Sequence, residues 1–191
     1  KWKRPKQKRR PLVVLCDISG SMETYSRLLL QFIYIISNGL KKTETFVFGT
    51  RLTRITHHLK HRNIEQALSA TTDSIRDWAG GTRIGETLKT FNYQWGRRVL
   101  GQGALTIIIS DGWDRGDTHL LSTEMARLQR SCQRLIWLNP LLGSPGYEPL
   151  TRGIQAALPH IDDFLPVHNL ASLEELGTLL ERLNRNHFPG S

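Results

Sequence analysis

The chain has 191 residues, of which 39% are hydrophobic and 23% are charged, so it has the composition of an ordinary globular protein and the length of a single domain. No segment approaches the ~20 consecutive apolar residues needed to cross a bilayer, and its two cysteines, Cys16 and Cys132, do not suggest a disulfide framework. We therefore expect a cytoplasmic protein without a transmembrane segment.

The net charge of +9 is concentrated in one short segment. Residues 1–10 contain seven Lys or Arg and no acidic residue, which leaves 19 basic against 17 acidic residues in the rest of the chain. The basicity belongs to a tail, and we find neither the basic face nor the aromatic platform of a nucleic-acid-binding protein. We expect a tail or linker at 1–10, one domain at 11–185, a C-terminal tail at 186–191 and no nucleic-acid partner.

Strands and helices alternate along the chain. The segments "PLVVLCD" (11–17) and "ALTIIIS" (104–110) are apolar without polar alternation, as in strands that are covered on both faces. A helix at about 22–38 is apolar nearly all round, which predicts burial on nearly all sides. The other predicted elements are a hairpin at 44–56, helices at 63–78, 84–98 and 118–131, a strand at 134–139, a loop at 140–149, a short helix to about 158, a strand near 163–167 and a helix at 172–184 with Ser172 as N-cap and Glu175 at the capping-box position.

This alternation predicts the α/β class, with an open, mostly parallel sheet and helices on both faces. In such sheets, ligands bind outside the carboxyl ends of the strands, where the strand order reverses. Asp17 and Asp111 each end an apolar strand. We therefore expect both carboxylates at the same edge of the sheet.

Five side chains whose oxygen atoms could bind a metal ion are expected near that edge. Asp17, Ser19 and Ser21 alternate after the first strand, Thr82 lies in a "GGT" loop and Asp111 lies in "SDG". Oxygen ligands without thiolate or imidazole favour Mg²⁺, with Mn²⁺ or Ca²⁺ also possible, over zinc or copper. Two carboxylates neutralise the charge of such an ion without adding an excess of negative charge. The site can therefore keep one coordination position open for an acidic group of a partner, and the partial positive charge at the N-terminus of the next helix also favours that group.

The segments "DISGS", "GGT" and "SDG" resemble the three parts of the metal-ion-dependent adhesion site of von Willebrand factor A (VWA) domains, in the same order. The resemblance implies a Rossmann-like fold with one antiparallel edge strand, which the hairpin at 44–56 would supply. It also implies a set of metal ligands, bound directly or through water: Asp17, Ser19, Ser21, Thr82 and Asp111.

Longer segments resemble one branch of these domains, the CoxE-like family. They are "GGTRIGETLKTF" (80–91), "ISDGWDRGD" (109–117), "RLIWLNPLLGSPGYEP" (134–149) and "FLPVHNLASLEEL" (164–176). Members are accessory proteins, typically paired with a MoxR-type AAA+ ATPase and associated with maturation of molybdenum hydroxylases such as carbon monoxide dehydrogenase. The resemblance implies a non-catalytic module that binds such an ATPase or its client enzyme through an acidic residue of the partner.

A further group of residues is expected to form the rim of the site and to contact the partner: Arg83, Trp113, Asp114, Tyr147 and Glu148. An exposed Trp or Tyr in such a position is a typical binding hot spot. Asp114 is also expected, with Asp117, to cap the helix that follows.

Two other functions remain open from the sequence. A Mg²⁺-dependent phosphoryl-transfer enzyme or phosphoacceptor would also hold Mg²⁺ at the strand ends and would use Asp17. Such sheets usually have a second carboxylate adjacent to the first and a lysine late in the sheet, neither of which is evident. A subunit of a chelatase-like complex that inserts metal is the third possibility. No P-loop or G-x-G-x-x-G pattern occurs, which argues against nucleotide binding.

Overall fold

The structure, a computed structural model, describes residues 10–40, 42–60, 64–74 and 81–185. The described residues form a six-stranded sheet in the order β3-β2-β1-β4-β5-β6, in which β2 and β3 are antiparallel and the other neighbours are parallel. The strands are β1 (Leu12–Asp17), β2 (Thr43–Phe48), β3 (Leu52–Arg54), β4 (Leu105–Ile109), β5 (Arg134–Asn139) and β6 (Asp163–Pro166). The predicted α/β class, the mostly parallel sheet and the antiparallel edge hairpin are therefore confirmed.

Helices cover the sheet. Those in the described part of the chain are α1 (Glu23–Gly39), α2 (Ile64–Ser74), α3 (Ile84–Phe91), α4 (Arg97–Val99), α5 (Thr118–Ser131), α6 (Arg152–Ala157) and α7 (Leu170–Arg185). None of them is long and apolar enough to span a bilayer. The predicted tails at 1–10 and 186–191, apart from Arg10, and both ends of the predicted helix at 63–78 lie outside the described residues.

Helices cover both faces of the central strands, and successive side chains of each strand point to opposite faces. In β1, Leu12, Val14 and Cys16 belong to a core shared with α1 and α7. Val13 and Leu15 belong to a second core shared with α3, α5 and α6. This double coverage is why the strand is apolar without alternation.

The helix α1 is less buried than its sequence predicts. Leu29 and Ile33 are fully buried against the sheet, but Ile35 is 65% exposed. A helix in the outer layer of an α/β fold keeps one side toward solvent, and here the apolar residues extend onto that side. The prediction of burial on nearly all sides was therefore wrong.

The predicted helix at 84–98 is not a continuous α-helix. A π-helical turn, Asn92–Gly96, separates α3 from α4. Within it, the Asn92 side-chain amide donates to the carboxylate of Glu124 on α5 at 2.9 Å and to its backbone oxygen at 3.1 Å. Apolar spacing over so few residues does not distinguish this wider turn from an ordinary one.

The helix α7 begins two residues earlier than predicted, because a different residue caps it. Asn169 Oδ1 accepts from the Ser172 backbone N–H at 2.9 Å, and Ser172 Oγ accepts from the Asn169 backbone N–H at 3.3 Å. Asn169 is therefore the N-cap, and Ser172 completes the reciprocal pair. The N-cap role of Ser172 and the capping-box role of Glu175 were wrong predictions.

The strand order reverses at β1, whose two neighbours are β2 on one side and β4 on the other. Asp17 is the last residue of β1, and Ser110 and Asp111 directly follow β4. The carboxyl ends of these two parallel strands meet at one edge, where open α/β sheets bind ligands. The fold therefore brings the two carboxylates to the predicted edge.

Candidate metal centre

Asp17 joins the three segments of the candidate site. Its side chain is fully buried, and it accepts hydrogen bonds from the Ser19 backbone N–H at 2.9 Å, from Ser110 Oγ at 2.7 Å and from Thr82 Oγ1 at 3.4 Å. These donors belong to the turn after β1, the turn after β4 and the loop before α3. One carboxylate therefore ties together segments that lie 65 and 93 residues away from it in sequence.

The two serines after β1 face each other. A single turn of 3-10 helix, Gly20–Met22, begins directly after Ser19. It places the hydroxyls of Ser19 and Ser21 3.2 Å apart. Ser19 is 4% exposed, whereas Ser21 is open to solvent. The turn therefore presents one hydroxyl next to Asp17 and a second one on the outer side.

The turn after β4 holds Asp111 in place through its backbone. Asp111 is 2% exposed, and its Oδ1 accepts from the Trp113 backbone N–H at 3.0 Å. Gly112 has φ +76°, and a side chain there would collide with Ile154 on α6. The Thr151 hydroxyl donates to the Gly112 carbonyl at 3.1 Å. Only glycine suits this left-handed and tightly packed position.

The loop before α3 is fastened to the turn after β4. The Arg115 backbone N–H donates to the Thr82 carbonyl at 2.9 Å, and Asp114 Oδ1 accepts from the backbone N–H of Ile84 at 2.9 Å. Asp114 therefore supports the start of α3, which corrects the prediction that it caps α5. The predicted cap by Asp117 is present, because Asp117 accepts from the His119 N–H at 2.9 Å.

Electrostatics at the site suit a cation. Burial, with a smaller contribution from the nearby charge of Asp111, raises the pKa of Asp17 to about 6, although hydrogen bonds from Ser19 and Ser110 oppose the rise. Two buried carboxylates close together repel each other, and a cation between them would relieve this repulsion. Because all donors in the set are hard oxygens, the residues fit Mg²⁺, Mn²⁺ or Ca²⁺.

The set differs from metal sites built of acidic and imidazole or thiolate ligands. Among the described residues, no group of three or more His, Cys, Asp or Glu side chains is arranged to hold a metal ion. The candidate centre has two carboxylates, and hydroxyls make up the rest of its donors. His57 and His58 lie on the edge segment after β3, and His61 lies outside the described residues.

A cleft of about 780 Å³ opens over the site. Its lining includes the hydroxyl residues Ser19, Ser21 and Thr82, whereas Asp17 and Asp111 are buried and do not line it. Of the predicted rim residues, the cleft is lined by Trp113, Asp114, Tyr147 and Glu148. Arg83 does not line it, and its guanidinium instead lies 3.9 Å from the Glu86 carboxylate.

Sequence reasoning missed several residues of this region. Ser110 donates to Asp17 and accepts from the Gly112 N–H at 3.0 Å, although it is an ordinary strand-end residue by sequence. Arg115 and Leu150 also line the cleft, and Leu150 is 63% exposed, close to the 66% of Trp113. An exposed Leu just after a Pro/Gly-rich loop gives no sequence signal of its own. The fold places Leu150 with Tyr147 and Glu148 in the cleft at the metal edge, by which we mean the edge of the sheet that carries Asp17 and Asp111.

Comparison with solved structures identifies the fold as that of a VWA domain. The structure is similar to a von Willebrand factor type A protein from Catenulispora acidiphila, with a TM-score of 0.64 and 15% identity over 92% of this chain and 42% of that chain. It is also similar to the conserved hypothetical protein BatB from Bacteroides thetaiotaomicron, with a TM-score of 0.59 and 17% identity over 93% of this chain and 100% of that chain.

A third similar structure is proximal thread matrix protein 1 from the mussel byssus, described with a zinc-occupied metal-ion-dependent adhesion site (MIDAS) motif. Its TM-score is 0.58, with 15% identity over 90% of this chain and 47% of that chain. This chain therefore spans about half the length of the mussel protein. At such identities the similarity establishes the fold alone.

The family of the chain is identified from its sequence. The model of the family described as VWA domain containing CoxE-like protein matches residues 1–173. The chain belongs to this family, which confirms the predicted resemblance. No curated protein matched the chain.

Proposed function

We propose that this domain is a non-catalytic binding module that holds Mg²⁺ at the sheet edge and uses it to bind an Asp or Glu of a protein partner. The proposed ligands, direct or through water, are Asp17, Ser19, Ser21, Thr82 and Asp111. The observation that supports this most strongly is the contact of Asp17 with both Ser110 and Thr82. That contact brings all three segments of the motif to one point.

The donor set explains why a partner carboxylate would bind. When bound, Mg²⁺ would supply positive charge and an open coordination position. Asp17 and Asp111 would cancel its charge, while the neutral hydroxyls of Ser19, Ser21 and Thr82 would add none. A carboxylate from outside therefore meets no excess negative charge in the donor set, and it enters through the cleft that these hydroxyls line.

The partner is proposed from family membership. Because the chain belongs to the CoxE-like family, we propose a MoxR-type AAA+ ATPase, or the molybdenum enzyme that such an ATPase remodels, in the cytoplasm. The exposed Trp113 in the cleft lining supports a protein partner, since Trp is enriched among the hot spots of protein interfaces.

The geometry favours binding over phosphoryl transfer. A phosphoacceptor needs an accessible carboxylate oxygen, whereas the Asp17 carboxylate is fully buried and accepts three hydrogen bonds. Incubation with acetyl phosphate tests this alternative. An acid-labile phosphoryl group on Asp17 would contradict the non-catalytic assignment.

The direct test is affinity capture from a lysate of the source cells with Mg²⁺ or with EDTA, followed by mass spectrometry. We expect an AAA+ ATPase or a molybdenum enzyme subunit to be retained with Mg²⁺ and lost with EDTA. The Asp17→Ala variant should lose it too, while Glu174→Ala, which removes an exposed carboxylate on α7, should retain it. Circular dichroism would verify that both variants fold.

Retention of the same partner by Asp17→Ala, or in EDTA, would mean that recognition does not depend on the metal edge. Either result would contradict the proposal.

A further inference from the structure

A second cavity lies at the opposite end of the sheet from the metal edge. It has a volume of about 370 Å³, within the usual range of small-molecule sites, and is lined in part by Pro11 and Thr43, at the amino ends of β1 and β2. The six-residue strand β1 separates this end from Asp17 by about 20 Å. The cavity is therefore independent of the metal site and of its proposed function.

Three cationic side chains line this cavity: Lys42, Lys60 and Arg98. Among the described residues, none of the three forms an ion pair with a carboxylate. Unpaired positive charges gathered around one concave surface create a favourable potential for an anion.

The one carboxylate in the lining does not neutralise these cations. Glu44 is bound by Arg54 through two hydrogen bonds of 2.8 and 3.0 Å and by the Thr56 hydroxyl at 2.8 Å. Burial raises the pKa of Glu44, but these hydrogen bonds and the charges of Arg54 and Lys60 outweigh it, so the pKa lies below its ordinary value. The direct ion pair of Glu44 is with Arg54, which does not line the cavity, whereas Lys60 acts on Glu44 through its charge without forming an ion pair.

Two of the cations are held in position. Lys42 Nζ donates to Gln102 Oε1 at 2.9 Å, and the Arg98 guanidinium lies over the Trp95 ring at 5.4 Å. Gln102 has φ +66° and is the one non-glycine residue with positive φ in the described part of the chain. Strained backbone positions of this kind cluster at active sites and ligand-binding sites. Here it places the amide that orients Lys42.

We propose that this cavity binds a small phosphorylated molecule. The three cations match the charge of two or more phosphate groups, with Arg98 suited to bidentate contact and the lysines to point-charge contact. Arg10, the last residue of the basic segment, lies at the same end of the sheet, because its guanidinium donates to the carbonyl of Gly103, next to Gln102, at 3.1 Å. Six of the nine residues before Arg10 are Lys or Arg.

The test is calorimetric titration with tripolyphosphate, at near-physiological salt, in the Asp17→Ala background so that no metal edge competes for phosphate. We expect saturable binding. Lys42→Gln, Lys60→Gln and Arg98→Gln should each weaken it by about tenfold, as expected for loss of one charge-assisted hydrogen bond. Arg27→Gln removes the same charge from an exposed position on α1 outside the cavity and should leave the affinity unchanged.

Wild-type affinity in all three cavity variants would overturn the proposal. A loss in Arg27→Gln as large as in the cavity variants would also overturn it, because it would indicate attraction by net charge alone. Citrate serves as a carboxylate probe of similar charge, and binding of citrate as tight as that of tripolyphosphate would contradict the assignment to phosphate. Binding of duplex DNA or anionic vesicles without binding of tripolyphosphate would also contradict it.

Discussion

At the scale of single residues, the site depends on a carboxylate that is positioned from several directions. Asp17 contacts its own turn, the turn after β4 and the loop before α3. Ser110 is central to this arrangement, because its hydroxyl donates to Asp17 and also accepts from the Gly112 N–H. We therefore predict that Ser110 positions Asp17 and is not itself a ligand.

This role predicts the effect of Ser110→Ala. The substitution leaves the buried Gly112 N–H without its acceptor and the Asp17 carboxylate without one of its donors. This should lower the free energy of unfolding, measured by denaturant titration, by about 1–3 kcal/mol. It should also weaken Mn²⁺ binding by about tenfold, because Asp17 loses the donor that orients it.

Ser131→Ala provides the control, since it removes an exposed hydroxyl that bonds only within α5, to the Arg127 carbonyl. It should change neither quantity appreciably. If Ser110→Ala lowers stability and leaves metal affinity intact, the positioning role would be wrong.

At the scale of elements, the turn between β4 and α5 determines how the site meets its surroundings. Gly112 packs against Ile154 of α6, and Asp114 supports the first N–H of α3. Asp117 caps α5 at the other end of the turn. A turn of seven residues, 111–117, thus connects the metal edge to three helices.

We expect Gly112→Ala to destabilise the fold by about 2–4 kcal/mol, because it adds left-handed strain to a collision with Ile154. Gly177→Ala is the matched control, since Gly177 lies on α7 with open space around it. That control should stabilise the protein by about 0.5–1 kcal/mol. Thermal and chemical denaturation measure both, and an unaltered stability of Gly112→Ala would show that the turn adapts.

The elements differ in how well the sequence predicts them. The ends of α5 and β5 match their predictions, because an N-cap Asp and a compact apolar run mark them. The π-helical turn Asn92–Gly96 was not predictable, since the contact of Asn92 with Glu124 on α5 that accompanies it joins residues 32 positions apart. The cap of α7 was misassigned because Asn169 and Ser172 are both good capping residues, and only geometry distinguishes them.

The same contrast holds in the candidate site. Motif order indicated Asp17, Ser19, Ser21, Thr82 and Asp111, and the fold brings these segments together. The sequence did not indicate Ser110, Arg115 or Leu150, because their relevance comes from long-range contacts that no local pattern encodes. Arg83, which the sequence placed on the rim, lies beside Glu86 and outside the cleft lining.

At the scale of the whole molecule, the domain has two chemically different ends. The carboxyl ends of the parallel strands carry the oxygen set and the cleft, and the amino ends carry the basic cavity. The doubly covered sheet links them as one packed unit, with a core on each face. A partner held at the metal edge and an anion held at the other end would therefore not compete for the same surface.

The measurement that tests the central claim most directly is a Mn²⁺ titration followed by electron paramagnetic resonance, with Mg²⁺ as competitor. The account predicts one Mn²⁺ site per chain, from which Mg²⁺ displaces Mn²⁺. Asp17→Ala should abolish this site, and Glu174→Ala should retain it. Mg²⁺ should raise the melting temperature of the wild type and not that of Asp17→Ala. Equal Mn²⁺ binding by the wild type and folded Asp17→Ala would contradict it.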